Sequence, residues 1–162
     1  MDKREKTCCF TGHRVIRRAD AAIIRGSVRE AILSLYARGV RYFGAGGALG
    51  FDTIAAEEVL ALRAGECPEL RLILVLPCRD QADGWRAADR KRYAAILAAA
   101  DKVVYTAETY YDGCMQKRNR HLVNGSRYCI AYLTRDFGGT AYTVRYAREA
   151  GLEVKILCGE GV

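Results

Sequence analysis

Hydrophobic positions along the chain fall into two alternating kinds of run. Short apolar stretches at about 7–11, 40–43, 70–76, 102–105, 128–133 and 153–157 are separated by longer segments whose apolar residues return every three or four positions. Strands alternating with helices are the elements this pattern predicts. Leu70 to Leu76 and Cys129 to Leu133 are apolar on both parities, as in strands covered on both faces. The first helical segment aligns Ile24, Val28, Ile32 and Leu35, with Asp20 placed to cap its start and Gly39 to stop its end. In the third, Trp85, Ala88, Ile96 and Leu97 supply a buried side. The expected fold class is α/β, a doubly wound, mostly parallel six-stranded sheet with helices on both faces. Right-handed crossovers leave few topologies, of which the strand order 3-2-1-4-5-6 is the leading expectation.

Glycine punctuates the strand-to-helix turns. Gly44-Ala45-Gly46-Gly47-Ala48-Leu49-Gly50 follows the second apolar run and opens the helical pattern from Phe51. Without Cβ atoms the backbone turns tightly and approaches a ligand, and the free N–H groups of the following helix favour an anion. A second such turn is Gly138-Gly139-Thr140, and a third is Thr11-Gly12-His13-Arg14. Turns of this kind all lie at the carboxyl edge of a parallel sheet and can meet at one crevice. A phosphorylated small molecule or a nucleotide is the ligand they suit.

The rest of the composition narrows the setting. The 162 residues, 51% hydrophobic, are read as a single domain spanning 1–162. The charged start Met1 to Lys6 carries no signal-peptide pattern, and no apolar run is long enough to span a bilayer, which implies a cytoplasmic protein. Seven cysteines are an odd number, with Cys8, Cys9, Cys129 and Cys158 in apolar runs, and they read as small buried hydrophobes rather than disulfide partners. No C-x-x-C occurs and His13 and His121 stand far apart, so neither a metal site nor a bound cofactor is expected. The formal charge is +7. Basic residues cluster at His13-Arg14 with Arg17-Arg18, at Arg86 with Arg90 to Arg92, and at Lys117-Arg118 with Arg120-His121. The first and third clusters neighbour the glycine turns and would draw phosphates to them.

Two nucleotide motifs are absent. Gly50 is followed by Phe51-Asp52 rather than Lys-Ser/Thr, which excludes a Walker A loop. The spacing G-x-G-G-x-x-G after the second strand also differs from the G-x-G-x-x-G of a first βα turn, which argues against a conventional NAD-dependent dehydrogenase. Asp52, in the first helical turn, complements the helix dipole and is suited to ligand hydroxyls or an amine.

Cys9-Phe10-Thr11-Gly12-His13-Arg14, Gly46-Gly47-Ala48-Leu49-Gly50-Phe51-Asp52, and Arg118-Asn119-Arg120 followed by Gly138 to Val144 resemble the YpsA-like branch of the SLOG superfamily over nearly the whole chain. The resemblance implies a Rossmann-like fold, shared with the Lonely Guy phosphoribohydrolases and the DprA/Smf proteins, and a nucleotide-derived ligand. Carried over by position, it places Gly46, Gly47, Gly50 and Asp52 on one ligand wall and Gly138, Gly139 and Thr140 on the other. Thr11, Gly12, His13 and Arg14 match its opening motif, and Arg118 and Asn119 its central Arg-Asn pair.

Three functions compete. The first is a binding protein, with a sensor role, for a nucleotide or ADP-ribose-like molecule, in which Arg14 and Arg118 hold phosphate. The second is hydrolysis of the N-glycosidic bond of a nucleoside monophosphate, which needs a carboxylate near the sugar. In the Lonely Guy enzymes a glutamate follows the P-G-G-x-G-T loop, whereas Phe137 to Val144 contains no acid and the next is Glu149. Asp52 is the substitute, ahead of Asp112, and the sequence leaves open whether the chain is an enzyme. The third is single-stranded nucleic-acid binding through the net charge with Tyr105, Tyr110 and Tyr111. No membrane partner is expected, and an apolar helix face allows a homo-oligomer.

Overall fold

The computed structural model describes residues 2–157. A 3-10 turn (Lys3–Lys6) leads into β1 (Thr7–Gly12), followed by α1 (Arg18–Ala37), β2 (Tyr42–Ala45), α2 (Phe51–Arg63) and β3 (Arg71–Leu76). The chain continues through α3 (Ala87–Ala99), β4 (Lys102–Tyr105), α4 (Cys114–Asn124), β5 (Tyr128–Tyr132), α5 (Gly139–Glu149) and β6 (Glu153–Leu157). Every strand pairing is parallel, so the fold is α/β, doubly wound and Rossmann-like. Cys158 lies outside the described residues. No helix among those described is long and apolar enough to cross a membrane.

The strand order is β4-β3-β2-β1-β5-β6, not 3-2-1-4-5-6. Three successive crossovers walk outward from β1 to β4, and α4 then returns the chain to the far side of β1. The fourth strand therefore sits at an edge beside β3. It is four residues long, with no buried side chain, as an edge strand should be. The sheet's direction of winding reverses between β1 and β5, whose register pairs Thr11 with Ala131 and Gly12 with Tyr132. Ligands of open α/β sheets bind at the carboxyl ends of the strands flanking such a reversal.

Alternate residues of each strand feed two cores. Phe10, Phe43, Leu72, Leu74, Leu76 and Ile130 pack with Ile24, Val28 and Ile32 of α1 and Val59 and Leu62 of α2. Cys9, Val75, Cys129 and Ala131 face the opposite way, onto Leu122 and Val123 of α4 and Val144 and Ala147 of α5. Cys8, Cys9, Cys67, Cys78, Cys114 and Cys129 are free and buried.

Two local expectations change. Helix α1 begins at Arg18 with Arg17 as its cap residue, so Asp20 is not the cap. It lies within the first turn, buried, and accepts hydrogen bonds from Arg17 Nε at 2.8 Å and Nη2 at 3.2 Å. Gly39 does end the helix: at φ +99° it donates to Tyr36 O, while Val40 N donates to Leu35 O, a Schellman closure. In α3 only Ile96 is fully buried; Trp85 and Leu97 are half-buried and Ala88 is exposed. The helix packs chiefly against α2, and Arg92 on it pairs with Glu57 of α2.

Candidate functional site

A crevice of about 290 Å³ opens at the carboxyl edge beside the β1–β5 reversal. Thr11 to Val15 at the end of β1 and just beyond it, Ala48 and Asp52 around the start of α2, the first turns of α4, and Arg135, Gly139 and Thr140 before and within α5 line it. The β2–α2 and β5–α5 turns thus border one space.

Packing below the crevice fixes its walls. Phe43, Phe10 and Phe51 form a chain of ring contacts that continues to Tyr132, stacked on Phe51 at 6.0 Å, and to His13, edge-on to Tyr132 at 5.5 Å. A Cβ on Gly12 would overlap the Phe51 ring, so glycine there lets Phe51 seat. His13 is buried and joins three elements: its carbonyl accepts the Phe51 N–H at 3.1 Å, and its Nε2 accepts the Thr134 N–H at 3.0 Å. An accepting Nε2 places the proton on Nδ1 of a neutral imidazole. Burial, with the nearby Arg135 charge second, lowers its pKa and favours that form.

The Arg-Asn pair of α4 belongs to the same wall. Gly44 of β2 and Gly46 just beyond its end are two apart and both face α4, and Leu122 and Arg118 are four apart on the facing side of the helix. A Cβ at Gly44 would meet Leu122, and one at Gly46 would overlap the Arg118 guanidinium. The missing side chains let α4 approach β2 and admit a charged group to a buried position, 4% exposed. Arg118 donates to the Gly46 carbonyl through Nη1 and to Asn119 Oδ1 through Nε at 2.8 Å. Asn119 Nδ2 donates to Thr143 Oγ1 at 3.1 Å, and Thr143 donates to the Gly139 carbonyl at 3.0 Å. One polar chain therefore runs from the β2–α2 turn through α4 to the first residue of α5.

The two helix starts differ. At α2 the Phe51 N–H is taken by His13, Gly50 lies against the His13–Arg14 backbone, and the Asp52 carboxylate accepts the Ala48 N–H at 3.2 Å. Gly47, at φ +71°, is hemmed in by Leu76, Tyr93 and Gln81. Gly46, Gly47 and Gly50 accordingly face protein neighbours and shape the wall from behind, while Ala48 and Asp52 present the lining. At α5 the cap residue Gly138, at φ +94°, makes no side-chain cap bond, and the first helical bond runs from Tyr142 N to Gly138 O. Gly139 and Thr140, whose N–H groups precede that first bond, line the crevice. Gly138 itself sits outside the lining.

Three arginines, Arg14, Arg118 and Arg135, meet a single carboxylate, Asp52, around this space. Burial raises the Asp52 pKa, opposed mainly by Arg118; burial also lowers the Arg118 pKa, opposed by Asp52. The site carries excess positive charge in a partly desolvated setting, to which an oxyanion is the complement. Arg14 is exposed and its Nη2 rests 3.5 Å from Met115 Sδ. Asp112, exposed in the turn before α4, is not part of the lining. No group of His, Cys, Asp and Glu among the described residues could hold a metal.

Sequence reasoning overlooked Arg135, Thr143 and Met115. Thr143 carried a usable signal, since it stands one helical turn from Gly139 and Thr140; Arg135, in a loop with no periodicity, carried none. The middle basic cluster is solvated surface: Arg92 pairs with Glu57 at 2.6 Å and Arg90 donates to the Trp85 carbonyl.

The family model for YpsA, described as the YspA SLOG family, matches residues 9–155. A UPF0398 protein of Halalkalibacterium halodurans is 33% identical over 129 residues, 78% of this chain and 68% of that protein. One from Bacillus thuringiensis strain Al Hakam is 28% identical over 131 residues, 79% of this chain and 71% of its own length. Among solved structures, DNA processing protein A (DprA) from Streptococcus pneumoniae superposes with a TM-score of 0.69 at 19% identity. It matches 95% of this chain, which spans half the length of that one. DprA from Helicobacter pylori, studied for its single-stranded DNA binding mode, gives a TM-score of 0.65 at 20% identity, covering 93% of this chain and 64% of that one. These two likenesses show the fold.

Proposed function

The chain belongs to the YspA SLOG family, and from that premise we propose that it binds a phosphate-bearing, nucleotide-derived ligand in the crevice at the β1–β5 reversal. The observation that carries this reading is the convergence of Arg14, Arg118 and Arg135 with the uncapped start of α5, against one carboxylate. The phosphate sits at the Gly139 and Thr140 N–H groups, where helix dipole and unpaired donors act together. Arg14 and Arg135, both exposed, close on it through charge-assisted hydrogen bonds, and Arg118 supplies charge from below. Thr11, His13 and Asn119 shape the floor.

Binding rather than glycosidic hydrolysis is favoured by the position of Asp52. Its carboxylate is occupied with the Ala48 N–H and set against Arg118, and Phe137 to Val144, the stretch that corresponds to the Lonely Guy loop, carries no acid. Mass spectrometry of small molecules released from the purified protein tests the proposal. A stoichiometric nucleotide or ADP-ribose-like compound supports it. An apo protein that binds no nucleotide on titration, yet retains single-stranded DNA at physiological salt, would transfer the function to nucleic acid, the ligand that DprA from Helicobacter pylori binds.

A further inference from the structure

The two faces of the sheet are covered unequally. Helices α1, α2 and α3 lie on one face, while α4 and α5 lie on the other and pack chiefly on β1, β3, β5 and β6. Parallel sheets are ordinarily covered by helices on both faces. On the α4 side, the β3–β4 end of the sheet instead carries a groove of about 300 Å³. Its floor is Ile73 and Val75 of β3, Val104 of β4 and Leu122 of α4, with Ile73 and Val104 only half-buried. Thr7 and Lys102, the first residues of β1 and β4, also line it, which places it at the amino ends of the strands, and it shares no lining residue with the crevice.

The charge around this groove has one sign. Lys3 and Arg4 before β1, Lys102 and His121 line it, and no carboxylate does. Elsewhere basic side chains hold acids: Arg29 pairs with Glu66, Arg38 with Glu153, Arg63 with Asp101 and Arg79 with Glu108. Lys3, Arg4, Lys102 and His121 make no ion pair among the described residues, and Lys3 rests over the Tyr42 ring at 4.6 Å. An open apolar strip bordered by unmatched cations is complementary to an apolar surface bordered by acids. We propose that the groove docks an amphipathic helix of a partner protein, its apolar stripe completing the helical cover of this face and its flanking glutamates or aspartates meeting Lys3, Arg4 and Lys102. A second copy of this chain supplies no such helix, since the chain carries a formal charge of +7 and Glu57 and Glu58 of α2 are held by Arg25 and Arg92. A flat lipid surface would meet the rim and leave the recessed Val75 and Leu122 uncovered.

The test is fluorescence anisotropy on the full chain with a stapled helical peptide of about four turns, a leucine stripe flanked by glutamates, beside the same peptide with lysines in place of the glutamates. The acidic peptide should bind saturably, and the lysine peptide at least roughly tenfold more weakly. Arg4→Glu/Lys102→Glu changes two exposed side chains, so it should melt as the wild type does and weaken the acidic peptide by roughly tenfold or more. Val104→Glu, on the floor, should weaken it likewise, and a photo-crosslinker in the leucine stripe should label residues 73–75 or 102–104. Absence of saturable binding, equal affinity for the two peptides, unchanged affinity in the double variant, or labelling elsewhere overturns the proposal. Phosphatidylglycerol vesicles that bind through Arg4 and Lys102 where the acidic peptide does not would also overturn it, and would assign the groove to a membrane surface.

Discussion

Asn119 Nδ2 donates to Thr143 Oγ1 at 3.1 Å, joining the helix that carries the buried arginine to the helix whose start faces the crevice. Thr143 is 3% exposed, and its hydroxyl also donates to the Gly139 carbonyl. Thr143→Val keeps the shape and strands both partners, so it should destabilise the protein by about 1–3 kcal/mol. Thr143→Ser should recover most of that. Urea unfolding of the three proteins measures it; equal midpoints for Val and Thr would show that the contact contributes nothing.

Gly46 and Gly50 should fail in different ways. Gly46→Ala pushes a methyl group into the Arg118 guanidinium, so ligand binding should weaken more than folding. Gly50→Ala meets the backbone of His13 and Arg14 and also violates φ +79°, so the fold should lose more than about 1 kcal/mol. Melting curves beside nucleotide titrations separate the two. If both substitutions lowered only stability, the link between Gly46 and the site would be lost.

Much of this architecture was legible because buried parallel strands announce themselves. Leu70 to Leu76 and Cys129 to Leu133, apolar on both faces, lie where strands β3 and β5 form. Strand order was not legible, since periodicity reports burial and not neighbours. The polar flank of Lys102-Val103-Val104-Tyr105 held the hint of an edge strand. The glycine turns and the Arg-Asn pair were readable as a group, but the assignment of each glycine was not. Whether Gly46 faces a ligand or makes room for Arg118 depends on a contact across 72 positions of sequence, which no local pattern encodes. Arginine is by type a mostly exposed residue, yet the place of Arg118 one turn before Leu122 puts it on the buried face of α4.

His13 should make the fold sensitive to mild acid. Its pKa in the folded protein lies below the ordinary imidazole value of about 6.5. In the window between the two values the unfolded chain binds the extra proton and the folded one does not. Stability is therefore complete above about pH 6.5 and declines as pH falls through that window. Protonated Nε2 can no longer accept from Thr134. Melting temperature against pH, in wild type and His13→Gln, checks this: the variant should lack that component of the decline, and parallel curves would contradict it.

Asp52→Asn distinguishes a binding site from a hydrolytic one. The amide oxygen can still accept the Ala48 N–H, while the one negative charge in the lining disappears. Nucleoside monophosphate affinity should rise, and no free base should accumulate with either protein. Rapid base release by the wild type that the substitution abolishes would make Asp52 a catalytic residue.

The proposed anion site depends above all on the exposed arginines beside the start of α5. Titration calorimetry with adenosine monophosphate, at matched ionic strength, on wild type and the double variant Arg14→Ala/Arg135→Ala isolates their part. Both side chains are exposed, so melting behaviour should not change. Saturable binding by the wild type should weaken by more than roughly tenfold in the variant. No binding by the wild type, or equal affinity in the two proteins, would refute an anion site in this crevice.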